Sequence, residues 1–171
     1  QRAACCSLAG CFSTNSNVDA NVTNVVTDAK ELRILGLSGV YNQVLVDGLP
    51  LIQGLAYPYG PGSYPGTMIE KIFVTKGANS VLQGFESISG QINIEFHRPE
   101  NAPQLFLNAF ANSFGESQYN VNYMVKKAAW SNLSVGHLTL PAASIDRDGD
   151  GFRDIVKTNR VSFYNRWSYD N

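Results

Sequence analysis

The chain has 171 residues, a formal net charge of −1, and only 16% charged side chains against 44% apolar ones. That length holds one good domain, or a small domain plus part of another. The charge fraction lies well below the about 25% of ordinary soluble domains, and with no excess of cations nothing supports a broad attraction to nucleic acid or acidic lipid. No stretch approaches the roughly 20 apolar residues of a membrane-spanning helix, because Val44-Leu45-Val46 is broken at once by Asp47-Gly48. Any meeting with a membrane would therefore be through β-structure, since only helices and closed barrels satisfy their backbone in lipid. Fifteen glycines, with 9 Phe, 8 Tyr and 2 Trp, favour turns and strands over long helices.

The start, Gln1-Arg2-Ala3-Ala4-Cys5-Cys6, lacks the apolar segment of a signal peptide, so the numbering is read as beginning after processing or truncation. The three cysteines, Cys5, Cys6 and Cys11, are an odd set. Adjacent cysteines bridge each other only through a strained ring, which favours a bridge from Cys11 to one of the other two. A thiophilic metal site is the alternative, with no histidine nearby. Asn21 to Thr27 has strand composition and runs into Asp28-Ala29-Lys30-Glu31, which reads as a short helical turn. Leu32, Ile34 and Leu37, with Gly36 and Gly39 between and after them, read as a strand ending in a tight turn. Val40 to Val46 reads as a strand stopped by Asp47-Gly48-Leu49-Pro50.

Residues 51–66 read as a long irregular loop, with Gly54, Gly60, Gly62 and Gly66 and Pro58, Pro61 and Pro65 interrupting regular structure. Tyr57, Tyr59 and Tyr64 sit among them. Long aromatic loops either bind something or pack beneath other parts of the same protein, and a tyrosine offers a stiff contact surface with a polar tip. Thr67 to Glu70 opens toward the strand Ile72 to Thr75, which Gly77 ends. Asn79 to Leu82 is a short helical candidate, and Gln91 to Phe96 alternates with period two, as a half-buried strand does.

His97-Arg98-Pro99-Glu100-Asn101-Ala102-Pro103 breaks the composition and marks a boundary between residues 1–100, with a core at 28–98, and residues 101–171. Beyond it Leu105, Leu107, Ala109 and Ala111 alternate with Phe106, Asn108, Phe110 and Asn112. Tyr119, Val121, Tyr123 and Val125 alternate with Asn120, Asn122 and Met124. Leu133, Val135 and His137 alternate with Ser134, Gly136 and Leu138, and Val161, Phe163 and Asn165 with Ser162, Tyr164 and Arg166. Antiparallel strands, apolar on one side and polar or small on the other, suit a transmembrane barrel wall and a soluble sandwich equally well. Four strands are fewer than the roughly eight of the smallest membrane barrels, so this part cannot close by itself.

Asp146-Arg147-Asp148-Gly149-Asp150-Gly151-Phe152-Arg153-Asp154 fits the first half of a calcium loop. Its carboxylates are spaced to converge on a hard cation, and a glycine stands at the sharp turn. The closing bidentate Glu is replaced by Lys157 and no helices flank the segment, which excludes an EF-hand. A loop site using Asp146, Asp148, Asp150 and Asp154 stands against a solvated acidic turn. On a barrel this loop would face outward, with Lys126-Lys127 on the opposite side. His97 and His137 are far apart in sequence, and no nucleophile-and-base arrangement or phosphate-binding glycine loop accompanies them, so an enzyme is not expected.

Residues 32–96 carry a resemblance. In order they contain Leu35-Gly36-Leu37, Val44-Leu45-Val46-Asp47-Gly48-Leu49-Pro50, and Ile69-Glu70-Lys71-Ile72-Phe73-Val74-Thr75-Lys76-Gly77. Ser80-Val81-Leu82-Gln83-Gly84 and Ile88-Ser89-Gly90-Gln91-Ile92-Asn93-Ile94 complete the set. Each block alone is weak; together, at matching gaps, they resemble the plug of TonB-dependent outer-membrane receptors. Leu35 stands where that family usually has arginine, Ala78 where it has proline, and Gln83 where it has tyrosine. Phe85-Glu86 fills a stretch that is usually small. These departures leave the substrate class open.

The resemblance implies an α+β plug domain, a small mixed β-sheet with short helices, followed by antiparallel strands of an incomplete transmembrane β-barrel of roughly 22 strands. It implies residence in the outer membrane of a Gram-negative bacterium and a TonB-type energy-transducing partner, whose recruiting segment would lie upstream of the plug. It implies capture of a scarce extracellular ligand such as a metal chelate, with no bond chemistry, no required cofactor and no nucleic acid. Iron chelate, corrinoid, other metal complex and saccharide stay open as cargo, and the paired thiols lean toward a metal. Within the resemblance, Glu70 and Lys76 are structural charges, and the ligand-facing loop falls on Leu51 to Gly66, with Gln53, Tyr57, Tyr59 and Tyr64 as expected contacts. The rival reading is a soluble or surface β-rich module that binds or adheres through calcium at the acidic loop.

Overall fold

The computed structural model describes residues 7–12, 15–24, 29–52, 54, 57, 59–78, 87–141, 143, 146, 149, 151, 157 and 159–170. By its contacts the chain divides into Gln1–Phe96 and His97–Asn171.

In the first unit, β1 (Val18–Asn24) and β2 (Ala29–Ile34) form an antiparallel two-stranded sheet from Val18 opposite Ile34 to Asn24 opposite Ala29. Ala29, Lys30 and Glu31 are therefore strand, not the expected helical turn, and Asp28 lies outside the described residues. One turn of helix would make a single hydrogen bond for several fixed residues, whereas strand pairing satisfies the same backbone and buries Ala29, Glu31 and Leu32. Leu35 and Gly36 close β2 with φ of 56° and 73°, and the Leu37 N–H donates back to the Ile34 carbonyl at 3.1 Å.

The second sheet holds β3 (Asn42–Val46), β4 (Leu49–Ile52), β5 (Ile69–Lys76) and β6 (Gly90–Phe96) in the order β4-β3-β6-β5. β3 and β6 run parallel and the other pairs antiparallel, so the sheet is mixed. Central β3 is buried along its whole length, while β6 alternates buried and half-buried positions. The β3–β4 turn is Asp47-Gly48 alone, with φ of 51° and 80°, the pair of positive values that a twisted two-residue hairpin demands. Leu49 and Pro50 already belong to β4. Leu8, Leu32, Ile34, Val44, Leu45, Ile92 and Ile94 form the fully buried core, each side chain contributing about 1.5–3 kcal/mol by leaving water.

Helix is sparse. Single-turn α1 (Leu8–Cys11) has the Ser7 hydroxyl accepting the Gly10 N–H at 3.3 Å. Cys11 is disulfide-bonded, and its partner among the remaining cysteines, Cys5 or Cys6, lies outside the described residues. Among its described residues, the loop read as wholly irregular carries the helical turn α2 (Gly60–Ser63), with Pro61 at its start, where the missing N–H removes no helical bond. Short 3₁₀ turns at Gly39–Tyr41 and Gly66–Met68 lead into β3 and β5. The expected helix at 79–82 lies outside the described residues.

The second unit is an antiparallel meander of β7 (Leu105–Ala111), β8 (Ser117–Lys127), β9 (Trp130–Leu140) and β10 (Arg160–Tyr169). Tyr119 stands opposite Ala109 and Leu138, and Phe163 opposite Gly136. The β8–β9 link is the tight pair Ala128-Ala129, with Ala128 at φ 52°, whereas residues 141–159 separate β9 from β10.

Candidate functional site

The aromatic loop divides its residues between fold and surface. Tyr57 is 5% exposed, and its hydroxyl donates to the Leu32 carbonyl at 3.0 Å. Burial pushes its pKa up to about 12. The ring lies over Gly39, where an added Cβ would come within 2.5 Å of it; no other residue fits that position without a shift. Tyr64 is half-buried and tilted against Phe96, centroids 5.4 Å apart, and burial raises its hydroxyl too. Tyr59 is 52% exposed, and its carbonyl accepts from the Ser63 hydroxyl at 2.7 Å. Gln53 lies outside the described residues. Of the three tyrosines, Tyr59 is the most exposed, while Tyr57 locks the loop to β2.

Beside Tyr57, the β2 carboxylate Glu31 joins the two sheets. Its Oε1 accepts the Ser38 hydroxyl at 2.6 Å and the Gly39 N–H, both from the turn that opens β3, and its Oε2 accepts Arg33 Nε at 3.0 Å. Burial alone would raise this carboxyl, but the hydrogen bonds from Ser38, Gly39 and Arg33, with the guanidinium charge, outweigh burial and hold it below the ordinary 4.5. Asn42 completes the joint: its Nδ2 donates to the Leu32 carbonyl at 2.6 Å and its Oδ1 accepts from the Ser89 hydroxyl.

An open groove with a cavity volume of about 370 Å³ lies where the β1–β2 hairpin meets the end of β5. Asn15, Asn17, Asp19, Arg33, Leu35 and Lys76 are among its lining residues. Ile34 brings the hairpin end to this place, since its side chain abuts Gly90, and Gly90 pairs with Lys76. Leu35 is exposed at a left-handed backbone position that an L side chain adopts at a cost of about 1–2 kcal/mol. Such strain beside a cavity is a site signal.

The wall strands are arranged inside out. Leu105, Leu107, Tyr119, Val121, Tyr123, Val125, Val161, Phe163, Trp167 and Tyr169 are exposed, whereas Gln118, Asn120, Asn122, Ser131, His137 and Thr139 are buried. The buried face carries a hydrogen-bonded row: Asn120 Nδ2 donates to Asn108 Oδ1 at 3.1 Å, Asn120 Oδ1 meets His137 Nδ1 at 2.6 Å, and His137 Nε2 meets Thr139 Oγ1 at 2.8 Å. Leu133 and Val135 share that face with Asn120 and Asn122, contrary to a strict apolar-out alternation, because the register sets Val135 opposite Asn122. Trp130 and Tyr169 pair at the strand ends, centroids 4.7 Å apart, as in the aromatic girdles at membrane interfaces. In the acidic loop, the Asp146 oxygens accept the Gly149 and Gly151 N–H groups at 2.7 and 3.1 Å. Asp148, Asp150 and Asp154 lie outside the described residues, and among those described no group of three His, Cys, Asp or Glu side chains converges for a metal.

The TonB-dependent receptor plug domain family matches residues 7–91. The chain carries a TonB-dependent receptor plug domain. The match covers the two-stranded sheet, its Glu31 joint, the groove and most of the mixed sheet. Solved structures of similar fold include the FrpB iron transporter from Neisseria meningitidis (F3-3 variant; 16% identity, TM-score 0.64, 96% of this chain and 26% of that one). The ferric yersiniabactin uptake receptor FyuA from Yersinia pestis (15%, TM-score 0.70, 95% and 26%) is another. So is the copper transporter OprC (19%, TM-score 0.65, 95% and 24%). This chain thus spans about a quarter of their length. Among curated proteins no sequence relative was found. The family consists of receptors and transporters rather than enzymes. Sequence reasoning missed Glu31 and the groove of the plug, since these assemble residues from separate segments; the unusual Leu35-Gly36 turn was the only local signal of either.

Proposed function

We infer that the chain forms the plug and the first wall strands of a TonB-dependent receptor for a scarce extracellular solute such as a metal chelate. The host membrane is the outer membrane of a Gram-negative bacterium, and energy comes through a TonB-type partner. One observation carries the reading most strongly: a plug-type mixed sheet is followed by strands whose exposed face is mostly apolar and whose buried face is mostly polar, Leu133 and Val135 excepted. A soluble half-solvated sheet has the opposite polarity, and a barrel wall has this one. The solute meets the plug at its exposed loop, with Tyr59 and Gln53 as contacts, while Tyr57 and Tyr64 shape that loop from beneath. A calcium ion at Asp146, Asp148, Asp150 and Asp154 is a secondary proposal, tested by titrating calcium and reading the protease sensitivity of residues 141–159; unchanged sensitivity removes it.

The experiment is a deletion strain grown on defined sources of iron, copper, corrinoid or saccharide, complemented by the intact gene or by one encoding Tyr59→Ala. A growth defect on one source that the intact gene rescues only while TonB is present supports the reading, and Tyr59→Ala is expected to weaken the rescue. Uptake indifferent to TonB, or a chain that stays monomeric in water without detergent, sinks it and favours the soluble calcium-binding module.

A further inference from the structure

The exposed Tyr59 sits between two anchors of different kinds. On one side the Tyr57 hydroxyl donates to the Leu32 carbonyl of β2. On the other, the Tyr64 carbonyl accepts the Leu8 N–H of α1 at 2.8 Å, and the Tyr64 ring leans on Phe96. α1 also packs against α2, β2 and the turn Gly66–Met68, with Leu8, Ala9, Phe12 and Met68 buried. The Leu8 N–H belongs to the first helical turn, where amides have no partner inside the helix. The loop therefore takes up a donor that the helix leaves over. Between the anchors α2 reads Gly60-Pro61-Gly62-Ser63, a stretch without a large side chain.

Sequence preference alone would not build the second anchor. A single turn makes too few hydrogen bonds to offset the chain entropy it fixes, and Gly10 lowers the helical preference further. Yet Cys11, the last residue of the turn, is disulfide-bonded. With Cys5 or Cys6 as partner, the covalent ring encloses Ser7 to Gly10, and so takes in the turn together with its capping hydroxyl. Closing so short a ring removes many of the unfolded conformations that compete with a marginal helix.

We propose that the Cys11 disulfide makes α1 a redox-sensitive seat for the aromatic loop, so that reduction frees Tyr64 and with it the position of Tyr59. The reductant is a dithiol. One of its thiolates attacks a sulfur of the bridge, the displaced cysteine takes up a proton, and the second thiol resolves the mixed disulfide. Two electrons and two protons pass to the two cysteines, and the dithiol departs as its own disulfide. Without the ring α1 unwinds and the Leu8 N–H leaves the Tyr64 carbonyl. The seat stands apart from the receptor reading; its consequence for solute capture through Tyr59 rests on that reading.

Chymotrypsin reads the loop directly. Tyr57 and Tyr64 precede Pro58 and Pro65, which block cleavage, so Tyr59–Gly60 is the tyrosine bond of this loop open to the protease. The full chain in detergent is digested with or without prior reduction by dithiothreitol and alkylation, and the cut after Tyr59 is followed by mass spectrometry. Reduction is expected to speed this cut at least about tenfold, since cleavage tracks the population of the open loop. Cys11→Ala should be cut at the reduced rate with or without dithiothreitol. Leu8→Pro deletes the N–H at a position where proline fits a helix, and should approach that rate with the bridge intact; Leu8→Ala, which keeps the N–H, should gain less. A cut blind to reduction, or Leu8→Pro cut no faster than the oxidised parent, overturns the proposal. So does an equal gain in cutting after Phe73 of β5, which would mean that the whole plug had opened. A redox-dependent cut in a chain whose uptake ignores TonB keeps the seat and removes the receptor; TonB-dependent uptake with a redox-blind cut does the reverse.

Discussion

The two units of this chain solve the burial problem in opposite directions. In residues 1–96, Leu32, Ile34, Leu45, Ile92 and Ile94 are withdrawn from solvent, and hydrophobic transfer from water drives the packing. Among the described residues of 97–171 most large apolar side chains stand on the exposed face, Leu133 and Val135 excepted, while Asn120, Asn122, His137 and Thr139 are buried. The amino acids are similar in both, and so is the strand period. What differs is the solvent each unit is written for, and that difference is legible only when polarity is compared with burial face by face.

The comparison breaks most readily in the first unit. Ile92→Ala is expected to cost about 2–5 kcal/mol, the usual range for emptying a fully buried aliphatic site, read as a shift in the denaturant midpoint of the full chain. A loss below about 0.5 kcal/mol, typical of surface changes, would mean that this core is not the driver. Val121→Lys tests the opposite face of the second unit. In a bilayer it should cost about 2–4 kcal/mol near the midplane, measured by folding into vesicles; if the cost in lipid is nil, the wall does not face hydrocarbon.

Glu31→Gln sharpens the account of the joint. Loss of the charge-assisted bonds is expected to cost about 1.5–3 kcal/mol. Since the folded carboxyl is held below its ordinary 4.5, its contribution is complete above that value and is lost as the pH falls through the folded one. The parent should therefore lose stability in acid more steeply than Glu31→Gln, and parallel acid profiles would remove Glu31 from the joint. The smallest effect belongs to Tyr57→Phe, about 1 kcal/mol for one neutral hydrogen bond. An ultraviolet titration adds a second reading: one tyrosine of the parent should ionise only at about 12, and that step should vanish in the variant.

Much of the fold was legible in local chemistry. Asp47-Gly48 declared a hairpin because a two-residue turn needs positive φ at both positions, and Gln91 to Phe96 declared a half-buried strand through its period. Ala29 to Glu31 misled, because a weak helical preference over three residues yields to strand pairing. The third wall strand was not orientable from its own pattern: Leu133 and Val135 look outward-facing until register sets them beside Asn122. The site was least legible. Tyr57 has the composition of a binding residue and the surroundings of a core one, and the groove draws on residues between Asn15 and Lys76 that no short motif links.

The sheet of the second unit presents a row of exposed apolar side chains, among them Val161, Phe163 and Trp167 of β10. Placed in water at high concentration, copies of this chain should associate through that apolar face. Handling therefore becomes a matter of stoichiometry between chain and amphiphile: below the ratio that coats the face, turbidity should rise with protein concentration, and above it the particles should stay small.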